Sequence, residues 1–281
     1  MTRYLTYDVF TDRPFGGNPL AVVPEAASLP EDQLQKIARE FNYSETVFLY
    51  PPEDSANTAR LRIFTPTMEV PFAGHPTIGA AVALSELGHG PDLRLELKVG
   101  LITAVAENGS AQFTARQPLE TVAHPEPSLI AKALGLTETD LKTPPVMAGM
   151  GLAFTFTELT SREALARIAT DVATFRDGHA RYPMGLDFAQ VAYWRADETD
   201  GDTIHMRIFA PLDDIPEDPA TGSAAAALGR LLFEATGEDL SFVVHQGDDM
   251  GRPSRITVSV DAASVTIGGQ AIRMMEGALV F

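Results

Sequence analysis

The sequence predicts an α+β fold built from two similar halves, and three observations support this prediction. Residues 62–66 read RIFTP and residues 207–211 read RIFAP, so a motif returns after 145 positions in a chain of 281 residues. Each copy leads through a short Pro-containing loop into an Ala-rich stretch, which is typical of a buried helix. Short runs that alternate apolar and polar residues, as strands do, surround both stretches. One buried helix among many strands, present twice, predicts two α+β domains.

The elements follow from these periodicities. Strands are predicted at residues 4–10, 45–50, 93–99, 111–115, 189–194, 203–209 and 256–260. Surface helices are predicted at residues 31–41, 128–135 and 161–169, and buried helices in the Ala/Leu-rich stretches 80–87 and 224–233. Pro76 and Pro219 precede the buried helices, and proline suits a first helical turn. We therefore expect His75 and Asp218 at or near the two N-caps.

The repeat also predicts where the chain divides. Residues 117–127 contain three prolines, which suits a connection between domains. We expect an N-terminal domain over residues 1–120 and a C-terminal domain over residues 121–281. The segment from about residue 270 to residue 281 is expected to pack back onto the N-terminal domain.

Composition excludes several classes of function. The net charge is −17 and no basic patch is present, which argues against binding to nucleic acid or to an anionic membrane surface. The absence of cysteine removes disulfides and thiolate chemistry, and the six dispersed histidines predict no metal site. The chain lacks a GxGxxG or Walker motif for a nucleotide cofactor and a GxSxG elbow. Without a signal peptide or an apolar run of about 20 residues, a cytoplasmic protein is expected.

Four polar residues are candidates for chemistry. A helix N-terminus attracts carboxylates and enolates, so two helix starts related by a pseudo-twofold axis could face one cleft and bind a small acid. Capped core helices without a function are the alternative. Asp218 is interpreted as an N-cap or as a carboxyl group in the cleft, and His75 as a structural residue or a proton relay. Glu45 is either a surface residue or a partly buried general base, and Asn18 lies in a turn or a ligand-binding loop.

Five motifs in order along the chain resemble the PhzF family, that of the phenazine-biosynthesis isomerase. They are residues 7–11 (YDVFT), 17–23 (GNPLAVV), 42–46 (NYSET), 73–79 (AGHPTIG) and 217–224 (EDPATGSA). The resemblance implies the diaminopimelate epimerase-like fold, in which each of two domains is a β-barrel around a central helix and the active site lies between them. It also implies a homodimer. It carries the catalytic role onto Glu45 and supporting roles onto Gly74, His75, Asp218 and Ser223.

The expected activity is a cofactor-independent isomerisation of a small carboxylic acid. Glu45 would remove a proton from an activated carbon and return it elsewhere on the same π-system, while Asp218 and His75 hold or protonate polar groups of the substrate. Asn18 and the backbone around Gly74, Gly222 and Ser223 would bind the acid or the developing anion; these four are the predicted substrate-binding residues.

Two alternatives remain at this point. One is an epimerase that uses Glu45 and Asp218 as its two bases, and the other is a catalytically idle protein that binds small acids. Epimerases of this fold use two cysteines, and this chain has none. Glu45 has no clear counterpart in the second half, where Asp187 is the nearest candidate. That asymmetry favours a directional isomerase. The sequence does not identify the substrate.

Overall fold

The computed structural model describes residues 1–183, 187–195 and 202–281, which form two compact units. The first unit comprises Met1–Ala115 and Thr266–Phe281, and the second comprises Arg116–Val265. The last strand of the chain, which begins at Val265, therefore lies almost entirely in the first unit.

The first unit contains two helices and nine strands among its described residues. The strands are β1 (Thr2–Val9), β2 (Asn18–Val23), β3 (Glu45–Tyr50), β4 (Ala59–Phe64), β5 (Glu69–Val70), β6 (Asp92–Leu97), β7 (Gly100–Glu107), β8 (Ser110–Ala115) and the chain-terminal β17 (Val265–Leu279). The helices are α1 (Glu31–Phe41) and α2 (Gly74–Glu86).

Eight of these strands close into a barrel. Pairing runs from β1 to β2, then to β3, β4, β6, β7 and β8, and β17 joins β8 to β1. The β2–β3 and β4–β6 pairs are parallel. Closure leaves no open sheet edge and encloses an interior that side chains can fill. The predicted barrel is confirmed for this unit.

Helix α2 fills the barrel interior. All of its first eleven residues are buried, as its nearly uniform apolar composition predicts. It contacts β1, β2, β3, β7 and β8. A Cβ added at Gly79 would lie 2.3 Å from Leu20 Cδ2 and 2.8 Å from Val9 Cγ2, so the helix approaches the barrel wall more closely than any side chain would permit.

The second unit repeats this order of pairing. Its strands are β9 (Glu120–Ala123), β10 (Val146–Gly149), β11 (Ala153–Glu158), β12 (Gln190–Arg195), β13 (Thr203–Ala210), β14 (Ile215–Asp218), β15 (Leu240–Gln246) and β16 (Ser254–Val260). From β10 the pairs are antiparallel to β11, parallel to β12, antiparallel to β13, parallel to β15 and antiparallel to β16, as in the first unit from β1 to β7. The 145-residue sequence repeat is therefore a repeat of strand topology.

The described residues of the second unit form the α-helices α3 (Pro127–Ala133), α4 (Arg162–Ala166), α5 (Val172–Arg181) and α6 (Gly222–Thr236). Helix α6 corresponds to α2 and packs against β10, β15 and β16. The other three enclose a separate apolar cluster that includes Ile130, Leu165 and Phe175. Among the described residues, no helix is both long enough and apolar enough to span a bilayer.

Several elements were not predicted, and for two of them the physical reason is clear. Helix α5 was not predicted, because Gly178 lowers its helix propensity. The structure requires that glycine, since a Cβ there would lie 2.1 Å from Phe188 Cε1. Strand β2 was also not predicted, because its apolar run is flanked by β1 and β3 and lacks the alternation of a half-buried strand.

Candidate active site

One end of the first barrel brings together the starts of three elements. The parallel strands β2 and β3 both begin there, with Leu20 opposite Glu45 in the register. Helix α2 begins at the same end and carries His75 as its second residue. As a result, Glu45 Oε2 lies 3.1 Å from His75 Nδ1. Two of the three predicted catalytic residues are therefore in contact.

The environment of this pair keeps the imidazole neutral. His75 is 4% exposed and Glu45 is 17% exposed. Burial lowers the pKa of His75 from 6.5 to about 3, and a hydrogen bond with the backbone of Pro19 only partly opposes the shift. A neutral imidazole has one N–H and one acceptor nitrogen. Pro19 has no N–H and can only accept, and Nε2 has no hydrogen-bond partner among the described residues, so Nδ1 donates to the Pro19 carbonyl. The approach of Glu45 Oε2 to Nδ1 is therefore a close contact without a hydrogen bond.

The turn before β2 and the first residue of β2 lie next to this pair. Asn18 is fully buried, and its Oδ1 accepts a hydrogen bond from Ser44 Oγ at 3.2 Å, next to Glu45 in the chain. Gly17 has φ +60°, and a Cβ there would lie 2.2 Å from the Val9 carbonyl oxygen. The Gly-Gly-Asn-Pro segment is thus a tight turn, as its residues indicate, and it positions Asn18 beside the candidate site.

The start of α2 has His75 near the helix cap, as expected, but not at it. The N-cap is Ala73, not His75, and no side chain caps the helix. Thr77 N–H donates to the Ala73 carbonyl, which leaves the N–H groups of Gly74 and His75 without partners inside the helix. These groups carry the partial positive charge of the helix N-terminus. They are suited to an oxyanion or a carboxylate.

The start of α6 in the second unit is built differently. Asp218 is the last residue of β14 and lies three residues before Thr221, the N-cap of α6, so it is near the cap as expected but does not form it. Asp218 is buried, and its Oδ2 accepts a hydrogen bond from the Thr221 hydroxyl. Gly222 and Ser223 form the first helical turn, as Gly74 and His75 do in α2. Position two of the helix is therefore His75 in one unit and Ser223 in the other.

The strand register also identifies the counterpart of Glu45. Thr46 pairs with Phe64 in the first unit, and Gln190 pairs with Phe209, the repeat equivalent of Phe64, in the second. The residue before Gln190 is Ala189, which is buried. Ala189, and not Asp187, therefore occupies the position that matches Glu45.

Asp187 belongs to a separate acidic cluster in the second unit. Its Oδ1 lies 3.5 Å from His179 Nδ1. Burial first, and then the nearby Asp187 carboxylate, raise the pKa of Asp213 to about 6. Sequence reasoning did not single out Asp213, although it follows the repeated RIFAP motif by two residues. The cluster does not include Asp218 or the start of α6.

Gln246, at the end of β15, is another residue that sequence reasoning missed. It hydrogen-bonds the segment between Asp218 and Thr221. No motif marks it, because its partners are 25 and 28 residues away in the chain. Within the residues that the structure describes, no group of three or more His, Asp or Glu side chains is arranged to hold a metal ion.

Comparisons with known proteins agree with the fold and with the motifs. The sequence profile of the phenazine biosynthesis-like protein family, PhzC-PhzF, matches residues 7–277. An uncharacterized isomerase of Mesorhizobium japonicum is 37% identical, over 99% of this chain and 98% of that protein. Trans-2,3-dihydro-3-hydroxyanthranilate isomerase of Pseudomonas aeruginosa is 32% identical over 99% of both. The crystal structure of a PhzF-family protein of Bacillus anthracis superposes with a TM-score of 0.87 at 25% identity, covering 100% of this chain and 99% of that one. The chain therefore belongs to the PhzF family, with the predicted diaminopimelate epimerase-like fold, and is an isomerase.

Proposed function

We propose that this isomerase moves a proton between two carbons of a small carboxylic acid, with Glu45 as the residue that carries the proton. The observation that supports this most strongly is the contact of 3.1 Å between Glu45 Oε2 and His75 Nδ1 at the barrel end. It joins a largely buried carboxyl group to a buried imidazole that burial keeps neutral. General acid–base catalysis requires a group that exchanges protons in such a sheltered position.

A neutral histidine suits a carboxyl group that must exist in two protonation states. The imidazole is uncharged and its N–H is directed to the Pro19 carbonyl, so it places no fixed charge beside Glu45. Both the ionised and the protonated carboxyl group are therefore accessible next to it. A lysine or arginine in the same position would stabilise only the ionised carboxylate. His75 therefore supports both the step that removes the proton and the step that returns it.

The start of α2 supports an acid as substrate. Removal of a proton from a carbon next to a carbonyl or carboxyl group places negative charge on oxygen. The N–H groups of Gly74 and His75 have no partners inside the helix and no side-chain cap. Donors that are already oriented toward developing charge lower the barrier without further reorganisation. We assign Gly222 and Ser223, at the start of α6, to binding of a polar group of the same substrate.

The proposed step breaks one C–H bond and forms another. Glu45 takes a proton as one C–H bond breaks, the double bond shifts, and the same proton, or one exchanged with water, forms a C–H bond at another carbon. No oxidant, reductant or second substrate takes part. Asp218 is assigned to hold or protonate a polar group in the same turnover, because it lies in EDPATGSA, one of the motifs by which the sequence resembles the PhzF family.

The test uses trans-2,3-dihydro-3-hydroxyanthranilate, the compound named in the Pseudomonas aeruginosa relative, as the probe. NMR spectra recorded in D₂O are expected to show a moved double bond and deuterium at the carbon that receives the proton. Glu45→Gln removes the acid–base group and keeps its size, so turnover is expected to fall by roughly 10²- to 10⁴-fold. Glu40→Gln, the same change at an exposed position of α1, is the matched control and is expected to retain full activity.

Three outcomes would argue against parts of this proposal. Undiminished turnover in Glu45→Gln would remove Glu45 from the reaction. Inversion of a stereocentre with deuterium at that same carbon would favour the epimerase alternative, with Glu45 and Asp218 as the two bases. A wild-type protein that leaves the probe unchanged would exclude this compound as substrate. The same experiment would then be repeated with other unsaturated small acids.

The proposal includes a homodimer, as expected from the family resemblance. Light scattering coupled to size exclusion is expected to give about twice the chain mass of 30.2 kDa. A mass of one chain at micromolar concentration would contradict the dimer and would leave the assignment of Glu45 unaffected.

A further inference from the structure

We propose that Gln246 and Thr221 are positioning residues that hold the Asp218 carboxylate in one orientation for catalysis. This inference rests on the proposed function, because it takes Asp218 to act during turnover. The three residues belong to the second unit and come from β14, the start of α6 and the end of β15. We call this arrangement the Gln246 bracket.

Three hydrogen bonds from one carboxamide define the bracket. Gln246 is almost fully buried. Its Nε2 donates to the Asp218 backbone carbonyl at 2.7 Å and to Thr221 Oγ1 at 3.1 Å. Its Oε1 accepts from the Thr221 backbone N–H at 3.0 Å. The side chain thus uses both donors and its acceptor on the two ends of a four-residue segment.

These bonds determine the orientation of the amide. If its oxygen and nitrogen were exchanged, the Gln246 nitrogen would face the Thr221 N–H, which is a donor against a donor. The oxygen would face the Asp218 carbonyl, which is an acceptor against an acceptor. Only the observed orientation satisfies every group, which is the accepted basis for assigning side-chain amides.

The amide orientation then directs the hydroxyl of Thr221. A threonine hydroxyl has one hydrogen to donate and can accept at its oxygen. Because Gln246 Nε2 donates into Oγ1, the hydroxyl hydrogen is left for the Asp218 carboxylate, whose Oδ2 is its partner. A hydrogen bond to a charged oxygen is stronger and more directional than one between neutral groups. The bracket therefore directs Oδ2 of Asp218 toward Thr221.

The surrounding backbone is packed tightly around the bracket. Ser254 Oγ donates to the Pro219 carbonyl at 2.6 Å. Gly247 has φ +77°, and a Cβ there would lie 2.3 Å from the Arg252 carbonyl oxygen and 2.8 Å from that of Pro219. The segment after Asp218 is thus held from both sides, as expected for a site whose geometry must be maintained closely.

The start of α2 shows that a central helix of this fold does not need the bracket. Its N-cap is Ala73, where α6 has Thr221, and Ala73 has no hydroxyl to offer. Both helices form and are buried. The bracket therefore serves the carboxylate that precedes α6, and a role in helix formation alone does not account for it.

The test compares two substitutions at Thr221 with the same probe acid. Thr221→Val keeps the shape and removes the hydroxyl, and is expected to lower kcat by roughly 10- to 100-fold, the range for losing a hydrogen bond to a charged group, with KM changed by less than about 3-fold. Thr221→Ser restores the hydroxyl and is expected to lie within about 3-fold of wild type. Gln246→Met removes both donors and is expected to match Thr221→Val. The exposed Gln112→Met is its control, with wild-type activity.

A second background separates positioning from a general loss of structure. If Thr221 acts through Asp218, Thr221→Val has little further effect on kcat once Asp218→Asn is present. An equal loss in both backgrounds would overturn the inference, as would a Thr221→Ser variant no better than Thr221→Val. These outcomes leave the proposed function intact, whereas a fully active Asp218→Asn variant would remove Asp218 from the reaction.

If wild type does not convert the probe, the bracket is tested by equilibrium unfolding. The effects of Thr221→Val and Asp218→Asn on unfolding are then expected to be clearly non-additive, because the two groups share one hydrogen bond. Additive effects would overturn the bracket irrespective of the substrate.

Discussion

The two units share one strand order but differ at the start of their central helices. In the first unit, the helix carries His75 in its first turn and contacts Glu45 on the neighbouring strand. In the second, the helix carries Ser223 at the matching position, and the buried Ala189, just before strand β12, occupies the position of Glu45. The acidic group next to this helix start is Asp218, which precedes the helix and accepts a hydrogen bond from Thr221.

This comparison separates what the fold repeats from what the chemistry requires. The repeat supplies two buried helices with uncapped first turns, and such turns bind anions without a specific side chain. The contact between a glutamate and a histidine at the start of the central helix is found in the first unit, and the described residues at the start of α6 have no equivalent. A directional proton shift needs a carrier that acts at two carbons on one face, which a single Glu45 can provide. An epimerase needs a base on each face.

The largest effect on stability is expected from giving the second unit a carboxylate at the matched position. Ala189→Glu places a charge in a fully buried site without a prepared partner, so we expect a loss of roughly 3–5 kcal/mol in the free energy of unfolding. Glu45→Ala, the reverse change, is expected to cost about 1 kcal/mol or less. Urea unfolding of both variants measures the difference. Equal costs would mean that the two positions are not as different as the structure indicates.

The next effect concerns the pH dependence of stability. His75 has a pKa of about 3 when folded, against 6.5 when unfolded. The unfolded chain therefore binds more protons between these values, and stability falls as pH drops from about 6.5 toward 3. In His75→Asn, the decrease in the free energy of unfolding over this pH range is expected to be smaller by several kcal/mol. Unfolding midpoints at pH 7 and pH 4 test this, with Ser223→Asn as the control at the matching helix position. Parallel profiles for wild type and His75→Asn would contradict the buried, neutral imidazole.

Helix packing gives a smaller contrast. Alanine at Gly79 would collide with Leu20 and Val9, whereas alanine at Gly229 of α6 would meet one close atom, Val258 Cγ1 at 2.9 Å. Overpacking costs about 1–3 kcal/mol, whereas alanine is more favourable than glycine in a helix by up to about 1 kcal/mol. We expect Gly79→Ala to lose about 1–2 kcal/mol and Gly229→Ala to be nearly neutral. Thermal unfolding of both variants measures this, and a larger loss at Gly229 would reverse the comparison.

The smallest effect contrasts a capped peripheral helix with the uncapped central ones. Ser161 Oγ accepts a hydrogen bond from the Ala164 N–H at the start of α4. Ser161→Ala is expected to cost about 1 kcal/mol, the usual value of such a cap, without a change in kcat. Calorimetry and the proton-shift assay check the two parts. A loss of activity here would mean that helix caps away from the candidate site influence the reaction.

Periodic elements were predictable, and elements that depend on a distant neighbour were not. Helix α1 and strand β3 have the predicted bounds, because their apolar periodicity is complete within each segment. Helix α5 was missed because Gly178 disfavours a helix locally and is required by contact with Phe188. The N-caps were located only to within three residues, because a proline marks a first turn without fixing its first residue.

The residues of the candidate site also fall into those that the sequence predicted and those that only the structure identified. Glu45, His75 and Asp218 were identifiable, because each lies in a short contiguous motif whose order along the chain matches the PhzF family. Gln246 was not, since its role depends on partners 25 and 28 residues away that β15 brings alongside α6. Ala189 could be matched with Glu45 only through the ladder registers.

The sequence by itself determined the α+β class, the repeat of about half the chain, the buried helices and the candidate catalytic residues. These features follow from composition, residue spacing and contiguous motifs, which do not depend on contacts with residues distant in the chain. The tertiary structure decided which residues meet and in which state. It brought Glu45 to the imidazole of His75, kept that imidazole neutral through burial, and set Thr221 against Asp218. Burial and hydrogen-bond direction depend on strand register and barrel closure, which bring together residues that are far apart in the chain.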